Sequence, residues 1–104
     1  MTAKRVDTNQ KEIVKRFRAY GLSVLMMSSL GKGAPDIAVG CGGLTFFFEI
    51  KNGANPPSKQ RLTPCEQEFK DNWKGHYSII KSVDEVDKFV VKVRNILKFK
   101  VDEL

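Results

Sequence analysis

Apolar side chains recur along this chain with the two periods that separate helices from strands. Between positions 9 and 20 the apolar residues follow helical spacing among lysines and arginines, and this pattern predicts a first helix that ends at Gly21. The apolar run 22–27 predicts a buried strand. Two further apolar stretches, 33–39 and 46–51, are separated by a glycine-rich turn and predict two adjacent strands.

The second half of the chain predicts a loop, a helix, a strand and a last helix. Asparagine, glycine and paired prolines in 52–61 are typical of an irregular loop. The segment 63–66 combines a threonine N-cap, a proline at the first helical position and a capping glutamate, and therefore predicts a helix start. A strand is predicted over 77–81, and a second capping box at 82–85 opens the last helix.

These elements predict an α/β domain with the order αβββαβα. Short strands placed between helices indicate a mixed four-stranded sheet with helices on both faces. We expect a single domain over residues 1–104, with residues 1–8 flexible. In the second helix, the stripe of Cys65, Phe69 and Trp73 is interpreted as core and not as a base-stacking platform.

Charged residues stand in the central strands, where apolar ones are typical. Glu49 and Lys51 share a strand face with Phe47 because alternate residues point the same way. The glycine-rich turn can lay Asp36 beside Glu49. Buried charges are costly without partners, and two converging carboxylates commonly bind a divalent cation. An ion-pair network among the three charged residues, without a metal, is the structural alternative.

The pair Pro35-Asp36 followed by Glu49-Ile50-Lys51 resembles the motif of the PD-(D/E)XK nuclease superfamily. The resemblance extends to the order of the elements, from a first helix with Glu12 to the last helix, and covers nearly the whole chain. Within the superfamily, the chain is similar to small stand-alone nucleases of the VRR-NUC and Holliday-junction-resolvase type, as found in phages and prophages. The resemblance implies a restriction-endonuclease-like core.

This resemblance implies a metal-dependent DNA endonuclease that hydrolyses phosphodiester bonds, with selectivity for Holliday junctions or other branched DNA. The expected metal is Mg²⁺ or Mn²⁺, held by the carboxylates of Asp36 and Glu49 and the backbone carbonyl of Ile50, with Glu12 as a further ligand. Lys51 would orient the attacking water or neutralise developing charge. The expected catalytic residues are Asp36, Glu49, Lys51, Glu12 and Gln67.

Two of these residues have other interpretations. Glu12 lies one helical turn from Arg16 and can form a surface ion pair with it. Gln67 falls away from the Phe69–Trp73 stripe on a helical wheel, which argues against a position that faces the site.

A basic composition favours a polyanionic partner. Lysine and arginine outnumber aspartate and glutamate by 18 to 12, giving a net charge of +6, and such a surface favours DNA, duplex or branched. The candidate DNA contacts are Lys15, Lys32, Lys59 and Arg61, each of which can also be an ordinary solvated residue. A non-catalytic nucleic-acid-binding protein that uses the basic helices is the alternative function, although clustered acids would repel phosphates without a metal.

The expected assembly is a homodimer, as in resolvase relatives that cut symmetrically across a junction. Cys41 and Cys65 lack zinc-ligand spacing and are interpreted as reduced thiols, and the lone His76 cannot anchor a metal site by itself. No apolar run reaches membrane-spanning length, and we expect neither a signal peptide nor a membrane partner. The expected location is the cytoplasm of a bacterial or phage-infected cell.

Overall fold

The structure, a computed structural model, describes residues 7–102 and the side chains of residues 7–97. Most of the segment expected to be flexible, residues 1–8, therefore lies outside the described residues. Within them the elements follow the predicted order αβββαβα, with short 3₁₀ turns before β2 and before α2. The bounds are α1 Gln10–Ala19, β1 Ser23–Met26, β2 Ile37–Cys41, β3 Leu44–Ile50, α2 Pro64–Asn72, β4 His76–Ile80 and α3 Val83–Asp102.

The strands form one mixed sheet in the order β1-β2-β3-β4. The first two pairs are antiparallel, and β3 and β4 are parallel. Gly42 and Gly43, with φ angles of 58° and 81°, make the tight turn that joins β2 to β3 as a hairpin. This hairpin sets Ile37 opposite Phe48, so the start of β2 lies against the end of β3.

One face of the sheet carries the main core and is covered by α1 and α3. Phe17 of α1 contacts Phe48 of β3 and Phe89 of α3, with ring centroids 5.2 and 6.0 Å apart. The buried residues of this core are Ile13, Val14, Phe17, Ile37, Val39, Phe48, Ile50, Ile80, Val86 and Val90. Among residues 7–102, no helix is long and apolar enough to span a membrane.

The other face of β3 is covered by α2. Phe47 points to this face, and its ring lies 6.3 Å from that of Phe69 and 4.7 Å from that of Trp73. The predicted capping box is present, since the Thr63 hydroxyl accepts a hydrogen bond from the Glu66 N–H and the Glu66 carboxylate accepts one from the Thr63 N–H. Helices therefore lie on both faces of the sheet, as predicted.

Two predictions about burial are wrong. The strand β1 is not buried, because it lies at the edge of the sheet, and Leu25 and Met26 are 65% and 46% exposed. The stripe of α2 was expected in the core, but Cys65 is exposed and Trp73 is 42% exposed, although the ring of Trp73 stacks on Phe69. Helical spacing identifies the stripe to which Trp73 belongs, but α2 is short and Trp73 stands at its C-terminal end, where the sheet covers it only in part.

We expect Gly33→Ala to destabilise the protein more than Gly43→Ala. Both glycines have positive φ angles, 78° and 81°, so each substitution costs about 1 kcal/mol for the left-handed backbone. A Cβ at Gly33 would also collide with the backbone carbonyl of Cys65, whereas one at Gly43 meets nothing within 4 Å. Overpacking of this kind adds about 1–3 kcal/mol.

Urea denaturation of both variants measures this difference. Equal losses in the free energy of unfolding would show that the turn at Gly33 does not pack against the start of α2.

Candidate active site

Two acids that the sequence singled out meet at the end of the β2–β3 hairpin. The N–H of Asp36 donates to the carbonyl of Phe48 at 3.0 Å, and its Oδ2 accepts a hydrogen bond from the N–H of Ile50 at 2.7 Å. Asp36 is thereby hydrogen-bonded to the residues before and after Glu49. The two residues are only 3% and 1% exposed. Two carboxylates buried side by side need positive charge nearby.

Lys51 brings an ammonium group to the same place. Its Nζ lies 4.0 Å from Oε2 of Glu49 and 2.8 Å from Oε1 of Glu66. Lys51 is 7% exposed and Glu66 is 4% exposed, so this is a buried ion pair between β3 and α2. A long lysine side chain is held in one direction by such a contact. The structure therefore brings Asp36, Glu49 and Lys51 together, as predicted.

Glu66 was predicted only as a capping residue. The same Oε1 that accepts the hydrogen bond of Lys51 also accepts one from the N–H of Thr63, at 2.8 Å. A sequence signal existed, because Glu66 is three positions before Phe69 and seven before Trp73, on the stripe that faces the sheet. A carboxylate on such a stripe requires a partner, and Lys51 is that partner.

The start of α1 contributes two further buried polar residues that the sequence analysis missed. The amide of Asn9 donates to the backbone carbonyls of Lys51 and Lys81, at 3.2 and 2.9 Å. Gln10 lies 3.4 Å from the Ser28 hydroxyl, which is also 3.4 Å from Oδ1 of Asp36. These contacts tie α1 to the ends of the strands that carry the acids.

Glu12 and Gln67 are not brought into the cluster. Glu12 is exposed, since the buried stripe of α1 runs through Gln10, Ile13 and Phe17 and leaves position 12 on the outer side. Gln67 is also exposed, and its amide donates to Asp71 at 2.8 Å. The next residue along a helix points about 100° away, so Glu66 faces the sheet and Gln67 does not.

The proposed ion pair of Glu12 with Arg16 is also replaced by another contact. Arg16 lies 3.5 Å from Asp87 of α3 instead. Asp87 accepts a hydrogen bond from the hydroxyl of Tyr20 at 2.6 Å as well. Arg16 of α1 and Tyr20, directly after this helix, are therefore directed towards α3.

The four candidate DNA contacts are all exposed. Lys15 lines an open groove along α1 with Lys11 and Arg18. Lys59 and Arg61 stand on the loop between β3 and α2. Lys32 lies in the turn before β2 with a φ of 55°, a left-handed conformation that is unusual for lysine.

Tyr77 of β4 lies close enough to the clustered acids for their charges to affect its pKa. Its hydroxyl is buried and has no hydrogen-bond partner among the described residues. Burial is the first cause that raises the pKa of this phenol above its ordinary value, and the nearby carboxylates of Glu49, Glu66 and Asp36 raise it further. Tyr77 therefore stays neutral beside these acids.

We expect Tyr77→Phe to leave the protein as stable or more stable by about 1 kcal/mol at neutral pH, because it removes an unsatisfied buried hydroxyl. The advantage should grow above pH 10.0, the ordinary pKa of the phenol. There the unfolded phenol ionises while the folded one does not, so wild-type stability falls as the pH rises.

Denaturation at pH 7 and pH 10.5 measures both effects. Tyr20→Phe is the matched control at pH 7, because that hydroxyl donates to Asp87 at 2.6 Å and its loss should destabilise the protein. A large destabilisation by Tyr77→Phe would show that its hydroxyl has a partner after all.

The donor set fits a hard divalent cation. Asp36 and Glu49 supply carboxylate oxygens, and Ile50, whose N–H donates to Asp36, lies between Glu49 and Lys51 on the chain. Within the described residues, no group of three or more histidine, cysteine, aspartate or glutamate side chains can hold a metal. Mg²⁺ often takes only one or two carboxylates and completes its shell with water and substrate phosphate, so two acids suffice.

A solved structure described as a VRR_NUC domain is similar to this chain. The two sequences are 28% identical over 78% of this chain and 88% of that one, with a TM-score of 0.54. No family model and no curated protein matches the chain.

The chain therefore has a VRR-NUC nuclease-like fold, and the resemblance given by the sequence is confirmed. The predicted fold class, a mixed four-stranded sheet flanked by helices, is confirmed as well. The similarity suggests a nuclease of the PD-(D/E)XK type.

Proposed function

We propose, from the VRR-NUC nuclease-like fold, that this chain is a metal-dependent endonuclease that hydrolyses phosphodiester bonds in DNA. The observation that carries the proposal is the burial of Asp36, Glu49 and Lys51 at one point, with exposed fractions of 3%, 1% and 7%. Burying three charges lowers stability. A buried charged cluster is therefore retained more readily where the charges perform chemistry. The same three residues form the motif of Pro35-Asp36 followed by Glu49-Ile50-Lys51 in the sequence.

The carboxylates of Asp36 and Glu49 and the carbonyl of Ile50 would hold Mg²⁺ or Mn²⁺. When bound, such an ion lowers the pKa of a water molecule and polarises a phosphate oxygen. Among the described residues of this cluster, the carboxylates of Asp36, Glu49 and Glu66 outnumber the ammonium group of Lys51. A DNA phosphate would be repelled from such a site unless a cation were present, which favours the metal.

Lys51 is proposed to act on the phosphate or on the attacking water. Its ammonium lies 4.0 Å from Glu49, the proposed ligand, and is fixed by Glu66 at 2.8 Å. A cation placed in advance stabilises the charge that develops on the phosphate without reorganising during the reaction. Glu66 is proposed as the residue that positions Lys51.

The exposed basic residues are proposed to bind the DNA backbone. Lys15 and its neighbours line a groove on α1 that also includes Gln10, the residue that reaches towards Ser28 and Asp36. A duplex that follows this groove would bring a phosphate towards the acids. Lys59, Arg61 and Lys32 would contact the backbone from the other side of the cluster, and the net charge of +6 favours such binding.

Selectivity for branched DNA, a homodimeric assembly and a location in the cytoplasm of a bacterial or phage-infected cell are further parts of the proposal. The dimer is supported by β1, an edge strand with Leu25 65% exposed. Edge strands present unpaired backbone groups to which a second copy can add. Two sites related by two-fold symmetry would cut opposite strands of a junction.

Cleavage of a labelled four-way junction and of a matched linear duplex tests the proposal. With Mg²⁺ or Mn²⁺ we expect paired symmetric cuts in the junction, and with EDTA we expect none. Equal cutting of both substrates would retain the nuclease and remove the selectivity. Metal-independent binding without any cut would indicate the non-catalytic binding protein instead.

A further inference from the structure

A second groove opens on the sheet face that carries Glu49 and Lys51. Its volume is about 440 Å³, within the range of small-molecule sites, roughly 300–1,000 Å³. We call it the Trp73 groove, and its lining residues are Lys32, Cys65, Glu68, Phe69, Asn72 and Trp73.

The floor of the Trp73 groove is aromatic and partly exposed. The rings of Phe69 and Trp73 are stacked with centroids 5.4 Å apart and planes 14° from parallel. Phe47 supports Trp73 from the sheet, at 4.7 Å. Trp73 nevertheless keeps 42% of its surface exposed. An indole held rigidly by two other rings offers a preformed surface for stacking.

The walls of the groove lead directly to the candidate active site. One wall is Lys32, in the turn that continues to Asp36. The other is the start of α2, where Cys65 precedes Glu66, the partner of Lys51. Gly33 packs against the backbone of Cys65 so closely that no Cβ fits, and this contact joins the two walls. Phe47 and Glu49 lie two residues apart on one strand face, about 7 Å along β3.

The charges of the lining restrict the occupant. Lys32 supplies a cation, whereas Glu68 supplies a carboxylate on the same groove. Asn72 adds a side-chain amide, which donates to the carbonyl of Glu68 at 2.8 Å. A bare anion would be repelled by Glu68. A nucleotide fits these charges, because its phosphate can lie at Lys32 and its base on Trp73, while an amino group of the base can donate to the carboxylate of Glu68.

We propose that the Trp73 groove binds one unpaired nucleotide of a DNA strand, with the base stacked on Trp73 and a phosphate at Lys32. The inference rests on the proposed function only in taking DNA as the ligand. A base paired inside a duplex cannot present its face to an indole, so the groove selects DNA that contains unpaired nucleotides near the cleaved bond. Branch points and flaps provide such nucleotides.

The fluorescence of Trp73 tests the proposal without any cleavage. The chain contains one tryptophan, so its emission reports on this groove alone. In EDTA, titration of wild-type protein with a single-stranded tetranucleotide should quench the emission and saturate. A blunt duplex of the same sequence should quench far less. Quenching by the duplex to the same extent, or no quenching by millimolar tetranucleotide, would overturn the proposal.

Two substitutions of exposed lysines separate a phosphate contact from a general loss of charge. Lys32→Asn removes the ammonium while asparagine tolerates the left-handed backbone. It should weaken tetranucleotide binding and reduce the slope of log K against log salt by about 0.7. Lys88→Ala removes an ammonium that is 76% exposed on α3 and should change neither. Equal effects of both variants would overturn the assignment.

The outcome is distinguishable from that of the cleavage assay. Quenching without cleavage would support the nucleotide site and remove the nuclease. Cleavage without quenching would retain the nuclease and remove the nucleotide site. A shift of the emission maximum with protein concentration, in the absence of DNA, would show that a second copy covers Trp73. This result would also overturn the proposal.

Discussion

We expect Lys51→Ala to lower the rate of the proposed DNA cleavage by about a hundredfold or more, the usual loss when a preorganised charge is removed from a reacting phosphate or oxyanion. The reason is geometric. Lys51 is 7% exposed and lies 4.0 Å from Glu49, so neither solvent nor an exposed lysine can replace its ammonium. Single-turnover cleavage of the junction measures the rate, and binding of the same junction is measured separately.

The matched control is Lys88→Ala, which changes the net charge equally but removes an exposed ammonium. Its cleavage rate should equal that of wild type. Removal of Lys51 also breaks its ion pair with Glu66. The variant Lys51→Met, which keeps the aliphatic volume, is therefore made in parallel, and its fold is checked by circular dichroism. A folded Lys51→Met variant that cleaves at the wild-type rate would contradict the proposed role.

Glu66→Ala has the largest expected effect on stability, about 3–5 kcal/mol less free energy of unfolding, because it breaks a buried ion pair. The Lys51 ammonium loses its partner at 2.8 Å and keeps the more distant Glu49, at 4.0 Å. The carboxylate also caps α2 by accepting from the N–H of Thr63 at 2.8 Å, a contribution of about 1 kcal/mol. Both losses come from one side chain that is 4% exposed. Urea denaturation of purified protein measures the change.

Two variants make this result specific. Glu68→Ala removes an exposed carboxylate from the same helix and should change stability by no more than about 0.5 kcal/mol. Glu66→Gln keeps an oxygen that can accept from both Thr63 and Lys51, so it should lose less stability than Glu66→Ala. If Glu66→Ala is as stable as Glu68→Ala, the buried pair with Lys51 does not exist in solution.

Local features of the sequence predicted much of the fold. Hydrophobic periodicity predicted the order αβββαβα, and the capping box predicted the start of α2 to the residue. The glycine-rich turn predicted that Asp36 would lie beside Glu49, because a tight hairpin fixes the register of its strands. These features depend on neighbours in sequence and can be read from it.

The sequence could not decide contacts that depend on how separate elements dock. The resemblance assigned Gln67 to the site, although its position on the helical wheel argued against this, and Glu66 was predicted only as a cap. In the structure Glu66 reaches Lys51 and Gln67 points to solvent. The resemblance also placed Glu12 in the cluster, with a surface ion pair as the alternative, whereas Asn9 and Gln10 are the buried polar residues at the start of α1. Glu66 and Gln67 differ by about 100° around the axis of α2, and Gln10 and Glu12 differ by about 160° around the axis of α1.

The sequence by itself determined the elements, the hairpin and the positions of Asp36, Glu49 and Lys51 within two strands. The tertiary structure alone decided which helical side chains meet those strands, how far Trp73 remains exposed and that β1 forms an edge. Periodicity shows that a helix has an apolar face, but the position of a side chain along that face relative to a strand depends on the packing of the whole core. The ion pair of Lys51 with Glu66 is a contact of this second kind, since it joins two elements that only the docking of α2 brings together.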